Sequence, residues 1–135
     1  KILDEIARQA EAELPNECCG YLSGTREGDA IIVVDRIPMT NVDASPEHFS
    51  FDPKEQFAAV KTARGRGLEL VANYHSHPET PARMSNEDIR LANDTSIRYL
   101  IYSVKDETIK AFAVDDSRAV TEEALIVSSP TKNAI

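Results

Sequence analysis

Two histidines one residue apart, at the end of an apolar run, constrain this chain more than anything else in it. Leu68, Leu70, Val71, Ala72 and Tyr74 lead into His75-Ser76-His77-Pro78 and read as a strand. Side chains at i and i+2 of a strand share a face, so His75 and His77 point the same way while Ser76 turns toward the core. Beyond the proline the chain reaches Ser85-Asn86-Glu87-Asp88, which reads as the start of a helix. If that helix begins beside the C-terminal end of the strand, its Asp88 carboxylate meets the two imidazoles. Two histidines and an aspartate, with one position left open, is how a catalytic zinc is held; structural zinc sites are usually closed by four protein ligands. The pattern points to metal-assisted hydrolysis.

Each part has a plainer reading. Ser85-x-x-Asp88 alone is a helix-start signature, with Ser85 as N-cap and an acidic residue three positions on. A single buried histidine is usually just hydrogen-bonded. The combination carries the weight: the chain has only three histidines, and two of them share a face at the end of one apolar strand. Packing two imidazoles there is costly without a partner such as a cation. Water activated at such a site needs a base. Glu17 is the best candidate, because it stands at the entrance to the apolar stretch Cys18-Cys19-Gly20-Tyr21-Leu22-Ser23, where a charge needs a reason. An exposed glutamate in a helix-to-strand turn is the competing reading.

Around this centre the pattern alternates helices with strands, which predicts a single α/β (α+β) domain. Ile2, Leu3, Ile6, Ala7, Ala10 and Leu14 recur at helical spacing, so residues 1–13 form an amphipathic helix ended by Pro15-Asn16. A short strand over Cys19–Ser23, closed by Gly24, pairs as a hairpin with the β-rich run Ala30–Pro38. Met39–Pro53 is irregular, with an extended piece at His48–Phe51. Residues 53–66 read as a helix carrying Phe57, Val60 and Ala63 inward, and a third helix runs from about Ser85 to Asn93. Strands follow at Tyr99–Val104, Ile109–Val114 and Glu122–Val127, and residues 128–135 form a polar, frayed tail.

Composition excludes several classes. A chain of 135 residues, 41% hydrophobic and 28% charged, has the length and composition for one core. A net charge of −8 argues against nucleic acid as the partner. No apolar run reaches membrane-spanning length. Cys18 and Cys19 are the only cysteines, and a bond between neighbours strains the backbone. With no disulfide framework the chain suits a reducing cytoplasm, and at least one of the two reads as a small buried packing residue, a zinc thiolate or a nucleophile being the lesser reading.

Taken together, Glu17, His75-Ser76-His77-Pro78, Ser85 and Asp88 resemble the JAMM signature of the MPN-domain metalloproteases. The Glu-Cys-Cys-Gly-Tyr-Leu-Ser-Gly entry strand and the Asn-Tyr-His-Ser-His-Pro strand agree with it, and so does the helix continuing Ile89-Arg90-Leu91-Ala92. The likeness covers residues 1–127, lacking the family's usual leading strand ahead of Lys1. It implies a single MPN domain whose curved mixed sheet, flanked by helices, is like that of the cytidine deaminases. It further implies one catalytic Zn2+ on His75, His77 and Asp88 with water in the fourth position. Glu17 resembles the general base and Ser85 the hydroxyl that steadies the oxyanion, while Ser76 carries no chemistry.

Polyubiquitin-selective members of that family carry a long insertion behind the aspartate. Here only about ten residues separate Asp88 from the strand at Tyr99. The chain is thus similar to the small stand-alone prokaryotic forms, whose partner is a ubiquitin-like sulfur-carrier protein or its conjugate, with or without pairing into a homodimer. Val42–Phe51 is expected to form one wall of a groove for the carrier's tail; His48 touches that tail or, more simply, faces solvent. A zinc deaminase needs His-x-Glu and Pro-Cys-x-x-Cys, and neither is present. A cell-wall or phage-tail endopeptidase and a non-catalytic MPN binding module are the remaining alternatives.

Overall fold

The computed structural model describes residues 1–126. In chain order the elements are α1 (Ile2–Ala12), β1 (Cys19–Glu27), β2 (Ala30–Met39), α2 (Pro53–Gly65), β3 (Glu69–His77), α3 (Asn86–Leu91), β4 (Arg98–Ser103), β5 (Thr108–Val114) and β6 (Val120–Glu123). The strands form one mixed sheet in the order β2-β1-β3-β4-β5-β6. Every neighbouring pair is antiparallel except β3 and β4, which run parallel. A parallel pair cannot be joined by a tight turn. The segment between β3 and β4 therefore crosses over the sheet, and it carries α3 and Asp88 with it.

Local chemistry accounts for the element ends. Asp52 caps α2 by accepting the Lys54 amide, with Pro53 in the first turn where its missing N–H costs nothing. Gly28-Asp29 turns β1 into β2, with Gly28 at φ 60°, a conformation that favours glycine in a two-residue hairpin. β1 does not stop at Gly24. The register shifts there, and a Cβ on Gly24 would lie 1.8 Å from the Ile32 carbonyl oxygen. The glycine permits a bulge within a longer strand, which is why its punctuating value in the sequence is misleading.

Three other expectations change. Ala63 faces inward on α2 as expected, but Phe57 is 63% exposed and Ala59 is buried in its stead, because small residues let the helix lie close to the sheet. Leu14 is also largely exposed, just past the end of α1. The last described strand is Val120–Glu123 rather than Glu122–Val127; it pairs Val120 with Val114 and Glu123 with Ala111. The predicted tail at 128–135 lies outside the described residues.

The two faces of the sheet hold different cores. On one, Ile6 and Ala10 of α1 pack against Leu22, Tyr74, Leu100 and Tyr102. On the other lie two smaller clusters. Cys19, Met39 and Ala59 meet under α2, while Met84, Ile97, Tyr99, Ile101 and Phe112 meet under the α3 crossover. Cys18 and Cys19 are both fully buried free thiols and belong to opposite cores, as alternation on a strand requires. Between the two smaller clusters β3 presents its histidines, both buried.

Candidate metal centre

His75 and His77 close β3 and are both buried. Asp88 reaches them from the first turn of α3. His75 Nε2 lies 3.1 Å from His77 Nε2 and 3.3 Å from Asp88 Oδ1, and His77 Nε2 lies 3.1 Å from Asp88 Oδ2. Ligands about 2.0–2.1 Å from a tetrahedral zinc stand roughly 3.3 Å apart, and these spacings, with each histidine meeting a different oxygen of Asp88, are of that size. The proton arrangement agrees. His77 Nδ1 donates to the Pro81 carbonyl at 3.0 Å, which leaves Nε2 of the neutral ring with its lone pair turned inward. Two imidazole nitrogens and a carboxylate thus converge on one point, a donor set that fits a cation.

Electrostatics follow from that crowding. Burial pushes the His75 pKa below the usual imidazole value, against the pull of Asp88. For His77 burial is outweighed by hydrogen bonds to Asp88 and Pro81, and its pKa rises. Burial also acts to raise Asp88, but hydrogen bonds from both histidines hold it far below the ordinary carboxylate range.

Glu17 is buried in the same cleft. Its backbone is held by Ser45 and Asn41: Glu17 N donates to Ser45 O at 2.9 Å, and Asn41 Nδ2 donates to Glu17 O at 3.0 Å. Burial raises its carboxyl pKa from 4.5 to about 8, partly countered by His77. A carboxyl titrating near neutrality can both take and return a proton. Ser76, fully buried on the other face of β3, accepts the Cys18 amide at 2.8 Å and donates its own amide to Cys18 O. It thereby pins the residue next to Glu17.

Ser85 sits at the N-cap of α3. Its Oγ accepts the Asp88 amide and its own amide donates to Asp88 Oδ2, both at 3.0 Å, forming a reciprocal cap. The cap and the site thus share one carboxylate, and the Ser85 oxygen keeps its hydroxyl proton to donate elsewhere. Ser85 itself is exposed.

The segment before α2 forms a wall of this cleft, through Glu47, His48 and Phe49. Phe49 stacks on His75 with ring centroids 4.5 Å apart, a contact without a sequence signal because it joins a loop to a distant strand. His48 is exposed and pairs with Glu87 at 2.6 Å across the mouth. The hydrogen bond and charge of Glu87 raise its pKa.

A mixed sheet thus presents two histidines and an aspartate, with a buried glutamate lining the same cleft. Residues 1–115 match the family described as prokaryotic homologs of the JAB domain, and the chain belongs to that family. It is 30% identical over 129 residues to the CysO-cysteine peptidase of Mycobacterium tuberculosis, covering 93% of this chain and 86% of that protein. It is 33% identical over 127 residues to the probable TtuB-protein conjugate cleaving protease of Thermus thermophilus, covering 93% and 78%. A solution structure of a Desulfitobacterium hafniense protein superposes with a TM-score of 0.85 at 46% identity, covering 93% and 88% of the two chains.

Proposed function

We propose that this chain is a zinc-dependent peptidase or isopeptidase that cuts at the C-terminus of a ubiquitin-like sulfur-carrier protein. The observation that carries the chemistry is the approach of His75, His77 and Asp88 to within 3.1–3.3 Å of one another, with Glu17 buried in the same cleft. Those three residues would hold the ion, which when bound supplies a Lewis acid and a water acidified toward neutral pH. Glu17 accepts the proton of the attacking water and returns it to the leaving amine, a shuttle suited to a carboxyl raised by burial. The free O–H of Ser85 donates to the oxygen that gains charge as the amide carbon becomes tetrahedral. Pro81 O holds His77 in the tautomer that ligation requires.

The relatives' names support the substrate class: one is a CysO-cysteine peptidase, another a probable TtuB-protein conjugate cleaving protease. The short crossover agrees, since α3 ends at Leu91 and β4 begins at Arg98. No helix among the described residues is long and apolar enough to cross a membrane, and a cytoplasmic setting suits two reduced, buried cysteines. The test is incubation with a sulfur-carrier protein bearing a C-terminal extension, read by intact mass. Loss of the extension, abolished by a chelator and by Glu17→Gln, is the expected result. If a muropeptide is cut and every carrier fusion survives, the cell-wall endopeptidase reading replaces this one.

A further inference from the structure

Along β3, Asn73, His75 and His77 occupy one face, and Asn73 lines the cleft with His75. Successive same-face residues of a strand lie about 6.7 Å apart, close to the two-residue repeat of an extended peptide laid beside it. Asn73 Oδ1 is buried and has no partner. Such an oxygen is costly, and native structures rarely leave one. Its neighbours across the sheet do not relieve it. Tyr21 and Tyr99 stand opposite Asn73 on β1 and β4, but Tyr21 Oη accepts from Gln56 and Tyr99 Oη donates to the Asp94 carbonyl. Rotation about χ2 exchanges the two amide atoms, so either one can face the cleft.

The direction in which a substrate lies follows from strand polarity. β1 is antiparallel to β3, with Cys19 opposite His75 and Tyr21 opposite Asn73. Cys18 is bonded to Ser76, so the chain leading back to Glu17 leaves β1 at the His77 end of the row. Glu17 and Asn73 therefore flank the histidines from opposite ends. The leaving amine belongs beside Glu17, which returns the proton to it, and the acyl chain then runs over Asn73. There the cleft is walled by apolar side chains, Phe49, Met84, Leu91 and Tyr99 among them. An amide offers one acceptor and a donor, the complement of a peptide group.

We infer that Asn73 is a specificity residue that hydrogen-bonds a peptide group in the extended acyl-side segment of the substrate. This rests on the peptidase reading above. The experiment is steady-state kinetics on a carrier fusion with wild type and Asn73→Leu. A second arm uses a semisynthetic carrier in which one acyl-side peptide bond near the scissile bond is replaced by an ester, each such position in turn. Asn73→Leu is expected to raise KM about tenfold, the size of one hydrogen bond, with kcat within about twofold. Zinc content stays as in the wild type and Tm does not fall, since the substitution removes an unpaired buried oxygen. At one position the ester raises the wild-type KM and leaves that of Asn73→Leu unmoved.

An unchanged KM in Asn73→Leu overturns the inference, as does a fall in kcat together with zinc content, which would mark a structural role. Should Asn73→Leu not fold, the ester series on wild type decides alone: no KM change at any position overturns the inference. If zinc-loaded, folded wild type cuts no carrier fusion at all, the peptidase reading fails first and takes this one with it.

Discussion

The two faces of β3 are built from alternate residues of one strand, yet they are opposites in their hydrogen bonding. On the face turned to α1, Tyr74 donates to Gln9 and Ser76 accepts the Cys18 amide, so both hydroxyls are engaged where they are buried. On the other face, Asn73 Oδ1 and His75 Nδ1 are buried without partners, and two imidazoles and a carboxylate crowd within 3.3 Å. Such crowding costs stability, and a cation on the converging Nε2 and carboxylate atoms would offset that cost. The first face holds the strand in place, and the second spends stability on a site.

Substitutions on the two faces should separate accordingly. The largest effect is on turnover: Glu17→Gln is expected to lower kcat on a carrier fusion by about 10²–10⁴-fold while stoichiometric zinc is retained. His77→Ala should abolish turnover and lose the zinc as well, as read by metal analysis. If Glu17→Gln retained wild-type kcat, the proton shuttle would have to lie elsewhere.

The next effect is on stability and its pH dependence. The Glu17 carboxyl is raised by burial from 4.5 to about 8 in the fold. Below pH 4.5 it is neutral in both states, so its contribution is fully present. Between pH 4.5 and 8 the unfolded chain releases the proton that the folded chain keeps, and wild-type stability falls as pH rises. Metal-free Glu17→Gln lacks this titration. Above pH 8 it should be more stable than metal-free wild type by on the order of 5 kcal/mol. Denaturant titrations across this range measure it, and a constant gap from pH 4 to 9 would refute the assignment.

The smaller effects belong to the other face. A Cβ on Gly20 would lie 2.3 Å from the Tyr74 ring, so Gly20→Ala should cost about 1–3 kcal/mol by overpacking. Ser76→Ala leaves the Cys18 amide unpaired in the core and should cost about 1–2 kcal/mol. Calorimetry gives both values, and zinc stoichiometry is expected to stay intact in each. Loss of zinc from Gly20→Ala would show that the two faces are not separable.

Much of this was legible along the chain. Period-two and period-three-to-four patterns located α1, the β1–β2 hairpin, α2 and β3, and strand alternation put His75 and His77 on one face with Ser76 behind them. The misreadings share a cause. Residue type alone misplaces Gly24 and Phe57, because a bulge is set by what the partner strand allows, and helix burial by how closely α2 approaches the sheet. The Phe49–His75 stack, the Pro81 tautomer lock and the Asn73 position each join segments that have no fixed spacing in sequence.

Ligand types and their order are properties of the chain. His75 and His77 share a face because a strand alternates, and Asp88 falls in a capped first turn because Ser85 precedes it by three. These are local rules that hold wherever the segment is placed. Whether they form a site is not local. The parallel β3–β4 pairing requires a crossover, and that crossover brings α3 and Asp88 within 3.3 Å of the histidines. The antiparallel β1–β3 register brings Glu17 in from almost sixty positions upstream to the same end of the strand. Distances between elements depend on which strands pair and where a gap is left between cores, and only the assembled sheet decides that.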